Sequence, residues 1–219
     1  MKWCHSFPDL GITGSNISGE DEEFILSAVP ENLEGKSVLD LASFDGFYSF
    51  EALKRGAKFV VSLDNGMGEE ILNGPDQGSG SESMSYPNYE ERQKAFDRAY
   101  EKYKMFPKGV HLVPLNVEDM DKLIPDFDVI FCFGLYYHLT DIFGLFEKCF
   151  KKCKELLIVE GVVSENFCFL GKIELHSDPT SFWSPSLEGL GKILFRVGFK
   201  KVEVVGYRNQ RILLKCWKT

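Results

Sequence analysis

Residues 37–65, SVLDLASFDGFYSFEALKRGAKFVVSLDN, restrict the fold more than any other stretch of the chain. A short apolar run over 38–41 carries an acid, Asp40, near its end. The loop Ala42-Ser43-Phe44-Asp45-Gly46 follows. Residues 47–55 then set Phe47, Phe50, Ala52 and Leu53 at helical spacing until Gly56 stops the pattern. A second apolar run, 59–63, ends in Asp64 with Asn65 beside it. Strand, loop, helix and strand in that order build parallel sheets. The unit suits a nucleoside ligand. Backbone N–H groups of the loop lie at a helix N-terminus, where they favour a carboxylate or phosphate. Asp64, ending the second strand, is placed to accept hydrogen bonds from two ribose hydroxyls.

A dinucleotide site would want G-x-G-x-x-G after the first strand. The chain has Ala42, Phe44 and Gly46 there, and Phe44 would obstruct a pyrophosphate. The run D-x-A-x-x-D-G-F-Y-S-F instead resembles motif I of the class I methyltransferases that use S-adenosylmethionine (SAM). The variant is that of the subgroup containing tRNA wobble-uridine (5-oxyacetic acid) methyltransferase-like proteins and relatives with small-molecule substrates. The resemblance implies an α/β, Rossmann-like fold: a mostly parallel seven-stranded sheet, a C-terminal antiparallel hairpin, and helices on both faces. It implies SAM as cofactor, with its methionine end against Asp40 and residues 42–46 and its ribose on Asp64.

With 219 residues the chain is long enough for one α/β domain, so residues 1–219 are expected to form a single unit. The net charge of -8 argues against a large nucleic-acid footprint, which needs clustered Lys and Arg. Six cysteines form no C-x-x-C pair, so no metal site is expected. No apolar stretch is long enough to span a membrane and no targeting segment is evident, which makes a reducing cytoplasm the default.

Residues 1–19 are turn-rich and hold Trp3 and His5. Two readings stand: an arm packed on the core, or a lid whose Trp3 and His5 face the substrate. The W-x-H-S-F opening resembles the start of the core in the same subgroup. Residues 20–29 have helical spacing, and acids fill their first turn. Residues 66–88 are rich in Gly, Ser, Pro and acids without periodicity, the pattern of a long flexible surface loop. Residues 89–105 read as a sheet-covering helix.

The third strand is predicted over 110–115 and is followed by Asn116 and Val117. By the resemblance these two contact the adenine, while the residues alone equally allow Asn116 to cap the next turn. The fourth strand, 127–133, ends at Phe133 and Gly134, where α/β sheets place ligands. In the segment G-L-Y-Y-H-L-T-D that follows, His138 is the candidate general base because its ordinary pKa lies near neutrality. Tyr137 is placed to orient substrate, and Asp141 to cap a helix over 142–152.

A fifth strand over 155–161 ends at Glu160-Gly161. Residues 162–185 read as irregular; the resemblance implies that they form a wall of the substrate pocket with Trp183, while the residues alone favour aromatic packing in the core. A helix over 187–197 precedes two strands, 199–206 and 212–217, joined by a turn carrying Arg208 and Arg211. Arg208 and Arg211 are candidates for an anionic substrate group, beside the reading that charged hairpin tips are simply solvated.

The resemblance implies methyl transfer from SAM to an O or N atom of a small-molecule acceptor, leaving S-adenosylhomocysteine (SAH). The alternative acceptor is a tRNA wobble uridine, disfavoured by the net charge. There the cofactor could be carboxylated SAM, which needs a basic residue near the sulfonium, and no Lys or Arg stands out in the loops assigned to that end. A catalytically degenerate binding protein and a nicotinamide oxidoreductase are the remaining readings. Retention of Asp40, Gly46, Asp64 and His138 weighs against the first, and the missing glycines against the second.

Overall fold

Ser18 opens the first helix, α1 (Gly19–Leu26), by accepting the Asp21 N–H, and acids at 20–22 occupy the positive end of its dipole. β1 (Ser37–Leu41), α2 (Phe47–Lys54) and β2 (Phe59–Leu63) then form the predicted strand–loop–helix–strand unit. The computed structural model describes residues 5–14, 17–64, 94, 97, 109–123, 125–164, 173–175 and 181–219. Trp3, Asn65, the loop expected over 66–88 and most of the helix expected over 89–105 lie outside the described residues. Lys94 and Asp97, within that last stretch, are helical.

β3 (Val110–Val113) stops two residues short of the predicted strand, at Pro114, which has no N–H to give a sheet. β4 (Phe127–Phe133), α3 (Ile142–Lys152) and β5 (Cys153–Val162) follow. The stretch read as irregular contains two three-residue strands, β6 (Ile173–Leu175) and β7 (Trp183–Pro185), paired antiparallel. Strands this short carry no readable alternation. Ser186 caps α4 (Leu187–Val197) by accepting from the Gly189 N–H. The closing hairpin, β8 (Lys201–Arg208) and β9 (Arg211–Trp217), turns at Asn209 and Gln210, both with positive φ, as two-residue hairpin turns require. The loop is thus only these two residues, and both arginines belong to the strands.

The main sheet runs β3-β2-β1-β4-β5-β9-β8. Its first five strands are parallel, and β9 is antiparallel to both neighbours. Alternation divides the buried side chains into two layers. Val38, Val60, Val129 and Phe131 pack with α1 and α2, whereas Leu39, Leu41, Leu63, Ile130 and Cys132 pack with α3 and α4. A register shift between Phe127 and Val129 moves Phe127 into the second layer. Asp128, beside it, accepts from the N–H and hydroxyl of Ser37 at 2.8 and 2.7 Å, tying the foot of β4 to β1. The chain leaves β1 toward β2 on one side and β4 toward β5 on the other. The crevice beyond β1 and β4 is therefore the switch point at which such sheets bind ligands.

Candidate functional site

The β1–α2 loop is built around its own acids. The Ser43 N–H donates to the Leu63 carbonyl at 3.1 Å, and the Gly46 N–H to the Ser43 carbonyl at 2.8 Å. The Phe44 N–H donates to Asp64 Oδ2 at 3.0 Å, fastening the loop to the end of β2. Ala42 and Phe44 sit at φ 53° and 56°, left-handed values that side-chain-bearing residues adopt only when their surroundings fix them. The first N–H of α2, from Phe47, donates to Asp45 Oδ1 at 3.3 Å. One N–H at this helix N-terminus is thus held by the chain's own Asp45 carboxylate, and a phosphate placed beside it would meet a like charge.

Asp40, on β1, accepts from the Ser49 hydroxyl of α2 at 2.6 Å. Ser49 lies 3.0 Å from Ser62 of β2, whose hydroxyl donates to Ser43 at 2.6 Å. A buried polar chain thus joins the strand acid to the ligand loop. Burial raises the Asp40 pKa to about 7, against the Ser49 hydrogen bond and the field of His5 and with the nearby Asp45 and Asp64 charges. Sequence reasoning missed Ser49 and Ser62; their signal was a hydroxyl on the buried face of an apolar helix and of an apolar strand.

His5 joins the same loop. Its N–H donates to Asp45 Oδ2 at 3.0 Å and its ring Nδ1 lies 2.7 Å from Asp45 Oδ1. The imidazole stacks on Phe47 at 4.8 Å and meets Tyr48 edge-on at 5.0 Å. Burial alone would raise the Asp45 pKa. The charge and hydrogen bonds of His5, with the Phe47 N–H, outweigh it and hold the carboxyl below its ordinary value.

At the next strand ends, Glu160 of β5 accepts the Gly134 N–H through Oε2 at 3.1 Å and pairs with Arg211 of β9 through both oxygens. Arg211 Nη2 also donates to the Tyr137 hydroxyl at 3.2 Å. Gly134 has φ 62°, and a Cβ on Gly161 would lie 2.5 Å from Tyr136, so the tyrosines need both glycines. His138 ends a 3₁₀ turn (Tyr136–His138) with its ring 4.2 Å from that of Tyr137. Trp183 donates from Nε1 to the Thr140 carbonyl, which brings β7 beside this turn.

The expected site residues separate as follows. Asp40, Ala42, Ser43, Phe44, Asp45, Gly46 and Asp64 lie together, with His5 against them. Phe133, Gly134, Tyr137, His138 and Trp183 lie at the adjoining ends of β4 and β5. Asn116 caps the 3₁₀ turn Val117–Lys122 by accepting the Glu118 N–H at 3.1 Å, and Val117 is buried there. Arg208 is spent elsewhere, on Glu20 and Asp21 of α1. Among the described residues, Arg211 lies at this end of the sheet, on Glu160 and Tyr137.

Asp40, Asp45 and Glu160 are each 1% exposed and Asp64 7%, four carboxyl groups at one end of one sheet. Arg211 balances Glu160 and His5 partners Asp45. What remains is negative, an environment for a cationic nucleoside rather than a phosphorylated one. Among the described residues no cluster of His, Cys, Asp or Glu is arranged to hold a metal, and no helix is long and apolar enough to cross a membrane.

No family model matches the chain. In sequence it is similar to curated proteins named tRNA U34 carboxymethyltransferase. That of Campylobacter lari is 23% identical over 194 residues, covering 84% of this chain and 56% of that protein. That of Pseudomonas putida is 26% identical over 182 residues, covering 80% and 48%. The chain thus spans about half the length of these relatives. Among solved structures, the N-terminal domain of EvdMO1 with SAH bound matches with a TM-score of 0.65 at 18% identity, over 98% of this chain and 91% of that one. Magnesium protoporphyrin IX methyltransferase from Synechocystis PCC 6803, with SAM bound, matches with a TM-score of 0.58 at 14% identity, over 91% and 77%. The 1,6-didemethyltoxoflavin-N1-methyltransferase of Burkholderia thailandensis matches with a TM-score of 0.58 at 13% identity, over 85% and 72%.

Proposed function

We propose that this chain, whose fold is that of the class I SAM-dependent methyltransferases, transfers a methyl group from SAM to an O or N atom of a small-molecule acceptor. The observation that carries the reading is the acid-lined end of the sheet at its switch point. There Asp64 closes β2 for the ribose, and the buried carboxyls favour the sulfonium and ammonium charges of SAM. Phe44 and the Asp45-capped α2 disfavour a pyrophosphate. Asn116 and Val117 would border the adenine, Phe133 and Gly134 another part of the cofactor, and Tyr137 and Trp183 the acceptor. The chemistry is in-line attack on the sulfonium methyl, for which positioning supplies most of the acceleration. His138 is one candidate to remove the acceptor's proton.

A second reading, a tRNA wobble uridine as acceptor, draws on the names of the curated relatives and fits a cytoplasmic location. Arg211 supplies a cation for the carboxylate of a carboxymethyl donor. Glu160 already balances that cation, which weighs toward plain methyl transfer. Incubation with SAM tritiated in its methyl group, with a metabolite extract or unmodified total tRNA as acceptor, separates the readings. Label in the small-molecule fraction is the expected result. Label only in tRNA would move the acceptor to the second reading, and label in neither would contradict both.

A further inference from the structure

His5 Nε2 and the Tyr48 hydroxyl are the two buried side-chain polar atoms among the described residues that have no hydrogen-bond partner. His5 is 4% exposed and Tyr48 5%. A buried polar atom left unpaired destabilises a fold, and here two such atoms belong to rings in contact with each other. They also stand at a telling place. Tyr48 meets Phe133, the last residue of β4, edge-on at 4.8 Å, and Gly134 follows. His5 and Tyr48 therefore lie between the β1–α2 loop and the end of β4.

The rest of the imidazole is fixed. Asp45 is an ionised carboxylate and only accepts hydrogen bonds, so His5 carries a proton on Nδ1, 2.7 Å away. When the ring is neutral, Nε2 holds the lone pair. The stack on Phe47 locks the ring plane, and the His5 N–H to Asp45 Oδ2 locks the backbone. A carboxylate-held imidazole with its second nitrogen unclaimed is the arrangement of a general base.

We propose that His5, oriented by Asp45 and accompanied by Tyr48, is the group that takes the acceptor's proton. This rests on the methyl-transfer reading above. In the step, the acceptor's O or N lone pair bonds to the methyl carbon and the carbon–sulfur bond breaks. Its electron pair goes to sulfur, giving neutral SAH, and the acceptor's proton moves to His5 Nε2. Asp45 balances the imidazolium that forms. With an oxygen acceptor, the Tyr48 hydroxyl donates to its second lone pair, so that the acceptor partners both groups. The other charges around the pair are Asp40 of β1, Glu22 of α1, which accepts the Ser6 N–H beside His5, and Glu160 of β5, which acts on Tyr48.

The test is ¹⁵N-histidine NMR of the full chain with saturating SAH and with saturating SAM, the four histidines being assigned with H5Q and H138Q. A sulfonium beside His5 makes its protonation harder, so its titration midpoint is expected roughly one unit or more lower with SAM than with SAH. His138 should move less. Equal His5 midpoints in the two complexes, or a larger shift at His138, would overturn the assignment. In the tritium assay at saturating SAM, His5→Gln is expected to slow turnover by about 10²–10⁴-fold. Unchanged turnover would likewise overturn it. Failure of the wild-type chain to bind SAH at all would instead count against the methyl-transfer reading.

Discussion

Asp64 has two tasks that one side chain seldom combines. It holds the Phe44 N–H at 3.0 Å, and so the shape of the loop, and it ends β2 where a ribose would lie. Asp64→Ala is therefore expected to weaken SAH binding by about 1–3 kcal/mol, since it strips partners from ribose hydroxyls and frees a loop N–H together. Calorimetry on the variant checks this, and an unchanged Kd would remove Asp64 from the site. Asp64 and Asp40 stand out in the sequence because an acid at the end of an apolar strand has few structural excuses, and Asp45 because it lies in the loop between such a strand and a helix. The sequence did not reveal that Asp45 would turn back onto its own helix. That depends on Gly46 at φ 80° and on His5, forty positions away. Arg208 and Arg211 show the same limit. Three residues apart, they look alike in the sequence, yet they serve opposite ends of the hairpin's surroundings. Arg208 reaches α1, and Arg211 reaches Glu160.

Among elements, those with a clear period were read within a residue or two: α2, β2, β4, α3 and α4. β6 and β7 escaped because three residues cannot display a period of two. The turn after β4 is held from outside itself, by Gly161 on the neighbouring strand. A methyl group there would fall 2.5 Å from Tyr136 Cε1 and 3.1 Å from Tyr137 Cδ1. Gly161→Ala is expected to destabilise the fold by about 1–3 kcal/mol. It should also displace Tyr137 and His138 together. A denaturant midpoint within error of wild type would show that the turn is not packed on β5 as described.

For the whole molecule, the alternation of short apolar runs and helices along the chain displays an α/β sheet, while its closing antiparallel hairpin is what the resemblance implies and the strand order comes from the structure. The buried acids add a property that the sequence does not display. Folding raises the Asp40 pKa from an ordinary 3.8 to about 7. Between those values the folded chain keeps a proton that the unfolded chain has lost. Asp40 therefore contributes stability at low pH that disappears as pH rises through this window. Asp40→Asn removes the dependence while keeping the shape and a hydrogen bond to Ser49. The stability of wild type relative to the variant is expected to fall by on the order of 1–4 kcal/mol from pH 4 to pH 8. Denaturant unfolding of both proteins at the two pH values measures it, and a constant difference would mean that Asp40 stays ionised in the fold.

The central claim is that the acid-lined crevice holds SAM. Calorimetric titration of the purified chain with SAH, SAM and NAD tests it most directly. The account expects binding of the first two in the micromolar range and none of NAD. Binding of NAD, or of none of the three, would contradict it.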